Sequence, residues 1–222
     1  MTKKILSLLL LTAAITACNN EEIITGSENG TPLKLNVQTA EINTRAVIET
    51  TTLPDASQIG VTLGDNSGTT YDGITYNNLL YTTSGTECTT ENIPMLSATT
   101  GTLYGYFPYN SDVTDMTQIP VTAGDTDFMY ATPVQNLSDG KPTANMQMNH
   151  ALAVIRLNIV RGTYTGTGAV TSVAVKGDNI ATAGTLDAET GALSSQTGAG
   201  EAITNTTAFT LSAQAKQIDN II

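Results

Sequence analysis

The sequence predicts an all-β protein, and three observations carry that expectation. Apolar and polar residues alternate over short runs, as in Leu33, Leu35 and Val37 against Lys34, Asn36 and Gln38. That period of two marks a half-buried strand. The chain is rich in Thr, with Gly and Asn scattered through it and no Trp; Thr favours strands, while Gly and Asn favour tight turns. No long stretch shows the helical period. Short strands at this spacing, with turn signals between them, point to β-sandwiches.

Residues 1–17 do not belong to the fold. Lys3-Lys4, an apolar run from Ile5 to Leu11 and the small residues Ala13 to Ala17 form an export signal. The apolar run is shorter than the ~20 residues a transmembrane helix needs. Ile15-Thr16-Ala17-Cys18 resembles a bacterial lipobox, which makes Cys18 the expected site of lipid attachment and the first residue of the mature chain. Two or three acyl chains anchor stably, since each buried CH₂ adds ~0.8 kcal/mol. Residues 18–31 are polar and acidic without periodicity and read as a tether.

Loss of residues 1–17 removes Lys3 and Lys4 and no acid, so the net charge moves from −11 to −13. A chain this acidic is a poor partner for nucleic acid, because phosphate contacts need clustered Lys and Arg. With Cys18 assigned to lipid, Cys88 has no partner for an intrachain disulfide, and stability rests on a packed core.

The body divides into residues 32–149, enough for one sandwich of ~100 residues, and residues 150–222, which fall short of a second. Leu33 to Val37 is the first strand. Arg45 follows it in a polar connector, ahead of a strand candidate from Val47 to Leu53. The other arginines, Arg156 and Arg161, flank or lie within a far more apolar run, so Arg45 is the one expected in an accessible connector. Gln58 to Leu63 is a strand closed by a turn-rich segment. Tyr71 to Tyr81 reads as a hairpin around Gly73. Thr102 to Tyr109 alternates Leu103, Gly105 and Phe107 against Tyr104 and Tyr106. Ile119 to Val121 and Phe128 to Ala131 are shorter strands, and Ala144 to Met148 leads out of a polar connector.

His150 to Val160 is the most hydrophobic stretch of the mature chain and apolar on most of both faces, the pattern of a strand central to a sheet. Val170 to Val175, Ile180 to Leu186, a turn from Asp187 to Gly191, and the alternating Phe209, Leu211 and Ala213 complete the second unit, which is expected to lack one or more strands.

No catalytic constellation stands out, and the chain reads as a non-enzyme. The sole histidine, His150, opens an apolar strand, where a structural imidazole is the expected role. Cys88 lies among Thr and Glu and reads as a bystander thiol. Asp125 with Asp127, and Asp65 with Asp72, lack the spaced acidic loop and closing Glu of a Ca²⁺ site, so neither metal nor cofactor is expected.

Four segments in order resemble the fimbrillin family of Bacteroidetes surface lipoproteins: Ile59-Gly60-Val61, Tyr104 to Tyr109, Asp127 to Ala131, and Asn149 to Leu157. The lipobox and Thr44-Arg45-Ala46 are similar to the family's as well. The resemblance implies two transthyretin-like β-sandwich domains, the second incomplete, and a pilus subunit held at the outer membrane by its lipid. It also implies cleavage by an arginine-specific protease between Arg45 and Ala46, and loss of the strand carrying Leu33, Leu35 and Val37. Another pilin subunit would then fill the vacated groove. Such an exchange is expected of a segment lying along the margin of its sheet. The second function class is a monomeric surface lipoprotein that binds a glycan or other ligand through Tyr71, Tyr76, Tyr104, Tyr106 and Tyr109.

Overall fold

The structure, a computed structural model, describes residues 30–40, 51–65 and 68–221, and among these every regular element is a strand. The chain enters through β1 (Thr31–Pro32) and β2 (Lys34–Thr39). It then forms β3 (Gln58–Gly64), a small hairpin of β4 (Thr70–Tyr71) and β5 (Ile74–Thr75), and a longer one of β6 (Leu79–Ser84) and β7 (Glu87–Thr89). Next come β8 (Met95–Leu96), β9 (Gly101–Phe107), β10 (Ile119–Thr122), β11 (Met129–Ala131), β12 (Val134–Leu137) and β13 (Thr143–His150). The last third holds β14 (Val154–Ile159), β15 (Ala169–Val170), β16 (Val173–Val175) and β17 (Ala183–Leu186). It ends with β18 (Leu193–Thr197), β19 (Ile203–Asn205), β20 (Phe209–Thr210) and β21 (Lys216–Ile221).

The turns form where their chemistry predicts. Asp72 and Gly73 join β4 to β5 with φ of 50° and 76°. Positive φ at both central residues is the two-residue turn whose twist suits a hairpin. Between β17 and β18, the Asp187 carboxylate accepts a hydrogen bond from the Glu189 N–H at 2.8 Å, and Gly191 takes a φ of 75°.

Eight strands make the main sheet, in the order β11-β13-β2-β7-β6-β3-β9-β12, and β11 also pairs with β9, so the sheet closes on itself. β13 runs parallel to β2; the remaining ladders of this sheet are antiparallel. Its interior is filled by alternate residues: Leu33, Leu35 and Val37 meet Ile59, Val61, Leu63, Leu103 and Met146. The opposite face of β9 carries Tyr104 and Tyr106 into a second cluster with Met116, Ile119, Val121, Leu186 and Ala188. The fold is therefore all-β and sandwich-like, with β9 buried between two apolar layers. The second cluster draws residues from both sides of position 150, and the β10–β17 ladder crosses the same position, pairing Ile119 with Leu186 and Thr122 with Ala183.

The run from His150 to Val160 is a correction to the sequence reading. It is split rather than one central strand: His150 ends β13, the chain bends at Ala151-Leu152, and β14 begins at Val154. The Ala151 N–H donates to the Phe128 carbonyl at 2.8 Å and holds the bend. β14 then pairs with β21, from Val154 with Ile221 to Ile159 with Lys216, and no other described strand flanks it. Its Ile155, Leu157 and Ile159 are half-buried. The candidate strand from Val47 to Leu53 lies largely outside the described residues; Leu53 itself is buried in the first core.

Two buried tyrosines make contrasting predictions. The Tyr81 ring is 2% exposed, its hydroxyl has no hydrogen-bond partner, and burial pushes its ionisation far above the ordinary range. Tyr81→Phe removes a buried polar group without orphaning another, so stability in urea should hold or rise by up to ~1 kcal/mol. Tyr106 differs, because its hydroxyl lies 2.9 Å from Asn78 Oδ1 and accepts from the Asn110 N–H at 3.0 Å. Tyr106→Phe should cost roughly 1–2 kcal/mol in the same measurement.

Candidate assembly site

β2 is the element that the fold singles out. Its alternation places Leu33, Leu35, Val37 and Thr39 inward, each no more than 5% exposed, while Lys34 and Gln38 face solvent and Asn36 is half-buried. On one side it pairs with β13 over six residues, Lys34 opposite Thr143 through Thr39 opposite Met148. On the other it meets β7 only at Leu35 with Cys88 and Asn36 with Glu87. The strand is thus interior to the sheet, not at its margin as the sequence reading had it. The alternation of residues 33–39 settles which face is buried; the second neighbour is supplied by the β6–β7 hairpin, some fifty residues on in the chain.

Single hydrogen bonds extend the ladders at both ends. The Leu33 N–H donates to Pro94 at 2.9 Å, Lys34 to Pro142 at 2.9 Å, Val37 to Thr86 at 2.7 Å and Ala40 to Met148 at 2.8 Å. The Thr39 N–H donates to the Thr51 carbonyl at 3.0 Å, which brings the two ends of the connector side by side. Arg45 and Ala46 lie in that connector and, like Cys18, fall outside the described residues.

The competing arginines have separate environments. Arg156 sits in β14 and forks onto Asp219, Nε to Oδ1 at 3.1 Å and Nη2 to Oδ2 at 3.3 Å. Its cross-strand pairing keeps it out of the extended, unpaired form a protease needs. Arg161 is exposed in the turn after β14, although its N–H is held by the Ser212 carbonyl at 2.8 Å. Apolar neighbours in the sequence therefore identified Arg156 as protected but misplaced Arg161.

The tyrosines of the ligand-binding alternative are mostly core. Tyr71 and Tyr106 are fully buried, Tyr76 and Tyr104 nearly so, and Tyr109 is half-buried. The Tyr71 hydroxyl donates to the Thr99 carbonyl at 2.5 Å and accepts from Ser97 N–H at 3.1 Å. Rings held this way offer no stacking face to a sugar.

His150 and Asp127 form a buried pair, Nδ1 lying 2.9 Å from the carboxylate, with side chains 3% and 7% exposed. The remaining nitrogen, Nε2, is buried and reaches no polar atom. A base sealed on its working side cannot take a proton from a substrate, so the geometry is that of a structural imidazole. Asp72 accepts a hydrogen bond from the Ser97 hydroxyl. No group of three or more His, Cys, Asp or Glu gathers among the described residues.

Two grooves open near these elements. An apolar one of about 230 Å³ lies against β10, β17 and β18, lined by Val121, Leu152, Ile180 and Leu193. A polar one of about 580 Å³ runs over the outer face of β2, lined by Asn36, Gln38, Glu87, Asn145 and Gln147. The carboxamides of this second groove were not singled out from the sequence. The alternation of Asn145 and Gln147 about Met146 was the available signal, but nothing in it says that this strand lies beside β2.

The body is all-β, and its leading strand lies between β13 and β7 in the closed sheet. The fimbrillin-like family matches residues 44–222, and the chain belongs to that family. Membership places it among pilus-like adhesion subunits of the cell surface, which associate with other pilin subunits. No curated protein sequence gives a significant match. Among solved structures, a candidate cell adhesion protein from Bacteroides ovatus is similar at a TM-score of 0.64 and 17% identity, over 87% of this chain and 78% of that one. Another from Bacteroides uniformis is similar at 0.60 and 19%, over 86% and 75%. At these identities the likeness establishes the fold alone.

Proposed function

We propose that this protein is a lipid-anchored pilus subunit, attached through Cys18, which assembles by strand exchange after cleavage between Arg45 and Ala46. The observation that carries the proposal is where the family match begins. It starts at residue 44, so that Thr44 and Arg45 fall just inside it and β2 lies before it. The interior place of β2 shapes the mechanism. Leaving spontaneously would abandon ladders on two sides and expose Leu33, Leu35 and Val37, worth about 5–9 kcal/mol at ~1.5–3 kcal/mol each. Release therefore requires an incoming strand that takes over the ladder and the alternate pockets as β2 departs. Head-to-tail addition of this kind does not close on itself and yields a filament. In the same reading the mature chain has two domains, residues 32–149 and 150–222, joined by the β10–β17 ladder.

Digestion of the folded chain with an arginine-specific protease should expose a new N-terminus at Ala46 and shift the protein to larger species on size exclusion. Cleavage confined to Arg161, or a monomer after a clean cut at Arg45, would overturn the reading. The anchor has its own check: palmitate labelling in the native host should vanish in Cys18→Ala, and labelling that persists in that variant removes the lipid from the account.

A further inference from the structure

β2 and β13 carry matching carboxamides in matching positions. In their parallel ladder Asn36 is opposite Asn145 and Gln38 is opposite Gln147, and Asn36 Nδ2 donates to Asn145 Oδ1 at 3.0 Å. We infer that this outward carboxamide ladder is a specificity determinant. The slot beside β13 selects a strand that presents carboxamides opposite Asn145 and Gln147 while its alternate residues fill the interior. This deepens the strand-exchange reading and rests on it.

The interior alone cannot supply that selection. It receives Leu35 opposite Ala144 and Val37 opposite Met146. A shift of β2 by two residues keeps every apolar side chain inside, setting Leu33 against Ala144 and Leu35 against Met146. Register is strongly specified against odd shifts, which would turn the apolar set outward; against even shifts it depends on what the outer face prefers. The outer face does discriminate. Shifted by two in that direction, Lys34 meets Asn145, and Asn36 meets the longer Gln147. In the observed register each amide meets one of its own length. A carboxamide carries both donors and acceptors, so each pair can bond whichever way the two amides turn.

The second neighbour narrows the choice further. Asn36 also lies opposite Glu87 of β7. A carboxylate at position 36 would face that acid across the ladder, and like charges directly opposite are destabilising. The partner is thus a strand with apolar residues at alternate positions and uncharged carboxamides between them, the pattern of Leu33-Lys34-Leu35-Asn36-Val37-Gln38.

The test uses the full chain with a site-specific protease sequence placed in the connector between Ala40 and Thr51, so that the cut does not depend on Arg45. The leading segment is labelled at its N-terminus, the connector is cut, and unlabelled peptides spanning residues 31–40 compete for the slot. The native peptide should displace the labelled strand at a concentration at least ~10-fold lower than a peptide with Asn36→Thr and Gln38→Thr. Thr is polar and a better strand former, so propensity favours the variant peptide. In a body carrying Asn145→Thr and Gln147→Thr that preference should disappear. Equal displacement by the two peptides from the native body overturns the ladder's role while leaving exchange intact. Failure of every peptide to displace the cut strand overturns both.

Discussion

Replacing Gly60 by alanine is expected to destabilise the fold by about 3 kcal/mol. Gly60 lies opposite Tyr106 in the β3–β9 ladder. A Cβ there would fall 2.1 Å from Tyr106 Cε1, 2.5 Å from Cζ and 2.8 Å from Asn78 Oδ1. The ring cannot simply swing aside. Its hydroxyl is held by Asn78 and Asn110, and Asn78 in turn donates through Nδ2 to the carbonyls of Asn110 at 2.9 Å and Val113 at 2.8 Å. Overpacking a tight core costs about 1–3 kcal/mol, and each buried hydrogen bond lost with the ring adds roughly 1 kcal/mol. Gly73→Ala is the contrast. Its φ of 76° strains any side chain, but nothing lies within 4 Å of the added Cβ, so a loss of about 1 kcal/mol is expected. Urea denaturation of both variants checks the ranking, and equal losses would mean that Tyr106 is free to move.

Removing β2 should make Cys88 about 100-fold more reactive toward a thiol reagent at pH 8. Cys88 pairs with Leu35 across the β2–β7 ladder and packs on the core that Leu33 and Val37 help fill. Burial pushes its thiol from the ordinary 9.0 up to about 11. The thiolate is the nucleophile, and two pH units of displacement correspond to a ~100-fold smaller thiolate fraction. In the intact chain the rate should therefore rise about tenfold per pH unit until pH nears 11, because a raised pKa keeps the thiol protonated through neutrality. In a chain that lacks β2 and has no strand in its place, water reaches β7 and the plateau should move down toward pH 9. The measurement needs a chain with Cys18→Ser, so that one thiol reports. A rate unchanged by loss of β2, or an intact chain already reacting like free cysteine, would detach Cys88 from the strand.

These two sites show how much was legible beforehand. Hairpin turns at Asp72-Gly73 and Asp187 to Gly191 were readable because their backbone needs are local: positive φ, and a side chain that caps its own turn. The buried face of β2 was readable because a period of two assigns each residue to a side, whereas β3 and β9 are buried on both faces. By contrast, the clash waiting at Gly60 depends on which residue of β9 stands opposite, and that register is decided by the whole sheet. His150 was read as structural from its apolar surroundings, but its partner Asp127 lies on the other side of the β12 loop, and only the β11–β13 ladder brings them together.

What the chain determined unaided is its class, its acidic character, the inward and outward sides of its leading strand, and the family its motifs resemble. What tertiary structure decided is who stands next to whom. β2 pairs with β13, so that Asn36 bonds Asn145 across a separation of 109 residues, and β7 closes its other flank. Alternation is a one-dimensional signal that names a face; neighbours are chosen by competition among many strands with the same alternation, and that competition is settled only when the sheet closes and each side chain finds, or fails to find, room against the one opposite.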